Sequence, residues 1–319
     1  MRPCLTVAAL YERRFFLESN EVPAVTDRRY SGGIVVSERR ILKRGIGYGL
    51  AYGFFLAAAS LAVHVGSGLD STELTFYRGA AGFIAFLGPA MRSRSLLVQK
   101  IAWPLWLRTI ASSVSILCYY WTLQATDIGI ASSLLNLAPV FVMFLAAVFL
   151  SEKIMPAEMI AVVVAVVSVT SLGSGIPGIV WIVGLCASVT GAMSFTALRA
   201  SAQRFAASVV VWMLSVFLII TALLLKHGHL QTPRSTQMPV IAAVCIFGVI
   251  SQFFQTKTYS FLPAAIASAF GLTSVVWSFC FDVVLFNKPL GAVQAASYFS
   301  FILAVGVLVY IRGAQRVPA

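Results

Sequence analysis

From Gly45 to Ile311 the chain is one apolar block after another, and this succession constrains the fold more than any other feature. Each block is about 18–23 residues long, the length at which an α-helix crosses the hydrocarbon of a bilayer. In that hydrocarbon every backbone N–H and C=O must be satisfied within the protein, which leaves only helices or closed barrels. Barrel strands would be about ten residues long and alternate in polarity. The blocks do neither, so the spans are read as helices. In order they cover about 46–65, 74–91, 104–124, 128–150, 156–172, 179–198, 208–225, 238–258, 264–286 and 290–311. The last two are separated only by Asn287, Lys288 and Pro289. Composition agrees: 59% of the 319 residues are hydrophobic and 11% charged, against roughly a quarter charged in a soluble domain. The expected fold class is an all-α integral membrane protein with ten transmembrane helices.

Basic residues set the expected orientation, because cytoplasmic loops retain Lys and Arg. With the N-terminus placed inside, 18 of the 23 fall on the cytoplasmic side, nine of them before Gly45. Only Lys226, Arg234 and Lys288 fall outside, while Arg78 and Arg108 lie within or at the edge of spans. Both termini are therefore expected in the cytoplasm of a multi-pass protein of the cell inner membrane. The net charge of +12 reflects topology, aided by anionic headgroups, and not a nucleic-acid footprint. Residues 1–44 are polar, carry both signs of charge and form a cytoplasmic extension in this reading, and 313–319 form a cytoplasmic tail.

Catalytic chemistry finds no foothold. There is no GxSxG, HExxH or phosphate-binding loop, so the chain is read as no enzyme, with no cofactor. Cys118, Cys186, Cys245 and Cys280 stand singly inside spans, as small buried apolar residues do. His227 and His229 flank a glycine in an outer loop, and two ligands are too few for a metal site.

An internal repeat carries more information. Shifted by 136 residues, Ser115–Leu150 falls on Ser251–Phe286 without gaps, with seven identities that include Ile130-Ala131-Ser132 on Ile266-Ala267-Ser268. The third and fourth spans thus map onto the eighth and ninth. Five spans is an odd number, so a second copy must insert upside down, giving repeats over 45–173 and 178–312. Inverted repeats enclose a midplane site that opens to either face in turn, the architecture of a carrier.

The stretch Ala131-Ser132-Ser133-Leu134-Leu135-Asn136-Leu137-Ala138-Pro139-Val140, followed by Phe149-Leu150-Ser151-Glu152-Lys153, resembles the signature of the EamA family of the drug/metabolite transporter superfamily. Phe76-Tyr77-Arg78-Gly79 is similar to that family's aromatic-Arg element. The resemblance implies two EamA repeats, cytoplasmic termini and transport of small organic solutes, often export of amino-acid-like metabolites. In the second copy Lys288 replaces the expected Glu, and Val275 stands where Pro139 would recur. Export of an amino-acid-like compound or metallophore is the first expectation, driven by a proton or ion gradient because no ATP-binding motif is present. Uptake of a vitamin, nucleoside or cofactor precursor is the alternative, and a channel or membrane scaffold the non-transport one. A homodimer is compatible with either.

Polar and aromatic residues on the third, fourth, eighth and ninth spans suit a pocket for an organic zwitterion. Tyr119, Tyr120, Asn136, Gln252, Gln255 and Trp277 are the candidates, Tyr119 and Gln255 occupying equivalent places in the two copies. The bland alternative is interhelical glue and interface aromatics. Charges within the hydrocarbon are costly and face a cavity or a partner, which makes Arg78 and Asp282 candidates for charge coupling. Against this stand a static Arg78–Glu73 pair and a water-reached position for Asp282. Gly49 and Gly53 belong to a small-residue stripe on the first span, and with Pro139 and Glu152 they are expected to serve gating or structure.

Overall fold

The computed structural model describes residues 31–66, 68–93, 103–142, 156–172, 175–262, 267–268, 270–287 and 291–314. Among them the helices run, in chain order, α1 Ser31–Val65, α2 Ser71–Met91, α3 Trp103–Ala125, α4 Ile128–Leu135, α5 Pro156–Leu172, α6 Gly178–Arg204, α7 Ala207–Leu225, α8 Met238–Phe261, α9 Gly271–Leu285 and α10 Ala292–Ala314. The described residues form no strand. The ten helices follow the ten apolar blocks. Among the described residues, four apolar stretches are long enough to cross a membrane by length and composition: Lys43–Val65, Gly178–Arg204, Ala207–Leu225 and Ser235–Phe261. Val- and Ile-rich α7 is a modest helix former in water, but in lipid the helix is the one local structure that satisfies its own backbone.

Polar signals set the ends. Asp70 caps α2 by accepting from Thr72 N at 3.2 Å, and Glu73 reaches back to Asp70 N at 3.4 Å, a capping box. Lys226, just after α7, pairs with Asp70 at 2.6 Å and Glu73 at 3.9 Å, fastening the start of α2 to the end of α7. α1 begins at Ser31, well before the apolar block. Arg39, Arg40, Lys43 and Arg44 are good helix formers, so helix can continue beyond the apolar block.

Helix pairs build the bundle: α1 packs on α8 and α9, α3 on α6, α2 on α7 and α8, α5 on α10, and α4 on α6 and α9, while α7 also touches α3. Small residues permit the closest approaches. A side chain at Gly184 of α6 would come within 2.7 Å of Leu134 Cδ1, and Ser188 Oγ donates to the Leu134 carbonyl. Leu74, Tyr120, Leu123, Ile128 and Leu214 belong to one buried cluster, whereas Ile84, Leu224 and Val284 are each at least 70% exposed. Large apolar residues both inside and outside are what a helix bundle in lipid requires.

Candidate functional site

Arg108 lies near the start of α3 and is wholly buried. Its Nη1 donates to Ser112 Oγ at 2.6 Å, one turn along the same helix, and to Ser194 Oγ of α6. Its Nη2 donates to Gln252 Oε1 at 3.0 Å and Gln255 Oε1 at 2.9 Å, both on α8. Gln255 Nε2 in turn donates to Tyr52 OH of α1 at 2.9 Å. Four helices, α1, α3, α6 and α8, thus converge on one guanidinium. Its Nε is buried without a partner.

Arg78 of α2 is the second buried cation. It donates to Tyr120 OH at 2.7 Å and to the Gly248 carbonyl at 3.2 Å, and its guanidinium carbon sits 5.6 Å from the Tyr120 ring centroid, within cation–π range. Gly248 is there for space: a Cβ would lie 2.9 Å from Arg78 Nε. The partners of both arginines are neutral. Among the described residues neither meets a carboxylate, and Glu73 turns to Lys226 and the Asp70 and Gln231 amides instead.

A second polar cluster lies on α1, α3, α4 and α9. Tyr119 OH shares hydrogen bonds with Ser60 Oγ at 2.8 Å and Ser132 Oγ at 3.0 Å, and Ser132 meets Ser278 Oγ at 2.8 Å. Beside it the helix expected over 128–150 is broken: α4 stops at Leu135, Asn136 and Leu137 turn, and helical backbone resumes over 138–142. Pro139 has no N–H to continue the ladder, and i→i−3 bonds from Leu137 to Leu134 and Val140 to Leu137 bridge the gap. Asn136 Nδ2 donates back to the Ser132 carbonyl at 2.8 Å. Asp282, on α9, accepts from the amides of Ile128 at 3.3 Å and Gly129 at 2.6 Å. A carboxylate so placed compensates two orphan donors and the positive end of α4.

The sequence candidates therefore divide. Gln252 and Gln255 meet at Arg108, Tyr120 at Arg78, and Tyr119 and Asn136 lie around Ser132. Tyr119 and Gln255, equivalent in the repeat, belong to different hydrogen-bond clusters. Trp277 is 43% exposed and stands edge-on to Phe54 at 5.3 Å between ring centroids, away from both. Side chains at Gly49 and Gly53 would collide with Phe270 and Thr273, so these glycines let α1 approach the start of α9. Glu152 lies outside the described residues. Arg108 is not among the sequence candidates; its sign in the sequence is a charge five residues into α3, with Ser112 a turn later on the same face. A cavity of about 490 Å³ at the α1–α2 and α7–α8 loops is lined by Val65, Leu69, Gln231, Arg234 and Gln237; neither buried arginine lines it.

Apolar helices with a buried polar interior define a multi-pass helical membrane protein. Residues 43–173 match the EamA-like transporter family, which bears out the resemblance carried by the motifs of the second to fourth spans. The chain is 22% identical over 245 residues to the pseudopaline exporter CntI of Pseudomonas aeruginosa, covering 75% of this chain and 86% of that protein. It is 19% identical over 214 residues to an uncharacterized transporter of Helicobacter pylori, covering 63% and 71%. One solved crystal structure superposes with a TM-score of 0.58 at 17% identity, covering 83% of this chain and 96% of the other. At that identity the likeness speaks to the fold.

Proposed function

We propose that this chain is a gradient-driven carrier of the inner membrane that exports a small organic metabolite by alternating access, with both termini in the cytoplasm. The pairing of helices carries the reading. Advancing every helix by five converts α1–α8 into α6–α3, α1–α9 into α6–α4 and α2–α8 into α7–α3, and leaves α2–α7, α4–α9 and α5–α10 unchanged. Two five-helix units related by a pseudo-twofold axis would give this pattern, and an odd count per unit inverts the second. In this reading the polar residues around Arg108 and Ser132 would lie where the two units meet. Kinship with an exporter favours outward transport, and the 18-to-three distribution of Lys and Arg supports the orientation.

Purified chain in proteoliposomes tests it. A carrier gives saturable efflux that is stimulated by solute on the opposite side, whereas flux that rises linearly with concentration indicates a pore and refutes alternating access. Comparing metabolites of cells and medium with and without the gene fixes direction. A compound retained by deletion cells signifies export; one left unconsumed in their medium signifies uptake and overturns this assignment. Labels at the two chain ends should react from the same, cytoplasmic face, and opposite faces would break the inverted-repeat reading.

A further inference from the structure

The carrier reading leaves open what a bundle gains from two buried cations. We infer that Arg108 is the anchor for a carboxylate of the transported solute, with Arg78 as the second cation along the same path; this rests on the carrier reading above. Both guanidiniums are at most 3% exposed, and every partner they have is a neutral oxygen: two serine hydroxyls, two carboxamides, a phenol and a backbone carbonyl. Such partners satisfy N–H groups but do not neutralise charge, and removing an ion from water is costly unless a counter-ion goes with it. Arginine deep in a membrane protein ordinarily finds that counter-ion within the fold or along a solute path. Here Asp70 and Glu73 are engaged with Lys226 and Asp282 with the start of α4, and no described carboxylate pairs with either arginine.

The groups around Arg108 are those that could yield to an incoming anion. A carboxylate accepts from a guanidinium in a two-pronged, charge-assisted arrangement stronger than any single carboxamide contact. Gln252 and Gln255 reach Arg108 from α8 by rotatable side chains, so their oxygens stand in for the solute while the site is closed. The buried Nε of Arg108 is a donor that nothing in the closed arrangement uses. Arg78 contacts the same helix at Gly248, and from Gly248 to Gln255 α8 rises by about 10 Å. The two cations thus mark successive levels on one helix, contributed by α2 and α3 of the first half against α8 of the second. Their combined field repels a cationic solute and draws an anionic group inward.

The experiment uses full-length chain in proteoliposomes loaded with a small-molecule extract of the native cells, in three forms: untreated, methyl-esterified so that carboxylates are neutral, and phosphatase-treated. Mass spectrometry reads which compounds leave. Release from untreated and phosphatase-treated extract, lost on esterification, is expected. Arg108→Gln should lower that release about 10- to 100-fold, the range of one charge-assisted hydrogen bond, and Arg108→Lys should restore part of it. Because the substitution removes an uncompensated buried charge, Arg108→Gln should melt at or above the wild-type temperature. A purely structural arginine would instead lower the melting temperature. Release that survives esterification but vanishes after phosphatase overturns the carboxylate in favour of a phosphate. Release that survives both, or is unchanged in Arg108→Gln, overturns the anchor. No release from any extract overturns the carrier reading itself, a different failure.

Discussion

Asp282 holds the start of α4 from another helix, and removing it should be costly in a way the structure allows to be worked out. Asp127, the residue at the N-cap position of α4, makes no side-chain cap hydrogen bond. The amides of Ile128 and Gly129 are met instead by the two oxygens of Asp282, a side chain 5% exposed. Asp282→Ala leaves two buried donors without partners, at about 1–3 kcal/mol each, hence about 2–6 kcal/mol together. Asp282→Asn keeps one acceptor and loses the charge at the helix start, so about 1–2 kcal/mol is expected. In a thermal melt of purified protein in detergent, the alanine variant should fall by at least about 3 °C and the asparagine variant by less. An alanine variant melting with wild type would refute the capping argument. The pair also separates structure from coupling. If the carboxylate relays protons, Asp282→Asn abolishes concentrative transport while remaining folded; pH dependence retained in that variant removes Asp282 from the coupling mechanism.

Other perturbations follow from the same contacts. Gly248→Ala puts a Cβ 2.9 Å from Arg78 Nε and should cost about 1–3 kcal/mol of stability as the guanidinium is displaced, with Gly248→Val worse; an unchanged melt would show that α8 and Arg78 are not in close contact. Asp70 is pulled upward by partial burial, but the hydrogen bond and charge of Lys226 prevail and hold its carboxyl below the ordinary 3.8, while Asp70 raises Lys226 above 10.5. The Asp70 contribution is therefore complete above the ordinary carboxylate value and lost as pH falls through the lowered one. The Lys226 contribution is complete below 10.5 and lost as pH rises past the raised value. Stability attributable to this pair should be flat across neutral pH, and Asp70→Asn should remove part of the acid-side loss in melts below about pH 4; an identical acid profile would contradict it. Cys118 of α3 and Cys186 of α6 have sulfurs 3.9 Å apart, so copper phenanthroline should join them in the membrane. That link should arrest transport reversibly if α3 and α6 must separate, and failure to cross-link in Cys118→Ser, but not in wild type, verifies the pair.

Helix number and class were legible because the bilayer imposes a length on every apolar block and forbids unsatisfied backbone. The ten blocks and the EamA motif therefore could be read from the order of residues alone. So could the candidacy of Tyr120, Gln252 and Gln255, since polar side chains inside such blocks need partners. What the blocks could not disclose is which partner each would find. Arg78 looked set for Glu73, five residues before it, yet it points to Tyr120 and Gly248. Arg108 looked like an edge residue, yet it gathers α1, α3, α6 and α8. Trp277 has the composition of a pocket wall and faces outward, because a side chain's direction depends on how its helix is rotated against its neighbours. The break at Asn136 was implicit in Pro139, but the capping of the start of α4 by Asp282 of α9, 154 residues after Ile128, was not. Hydropathy is a property of each segment and survives in any arrangement of helices. The pairing of a buried charge belongs to the arrangement itself, so only the folded bundle decides it.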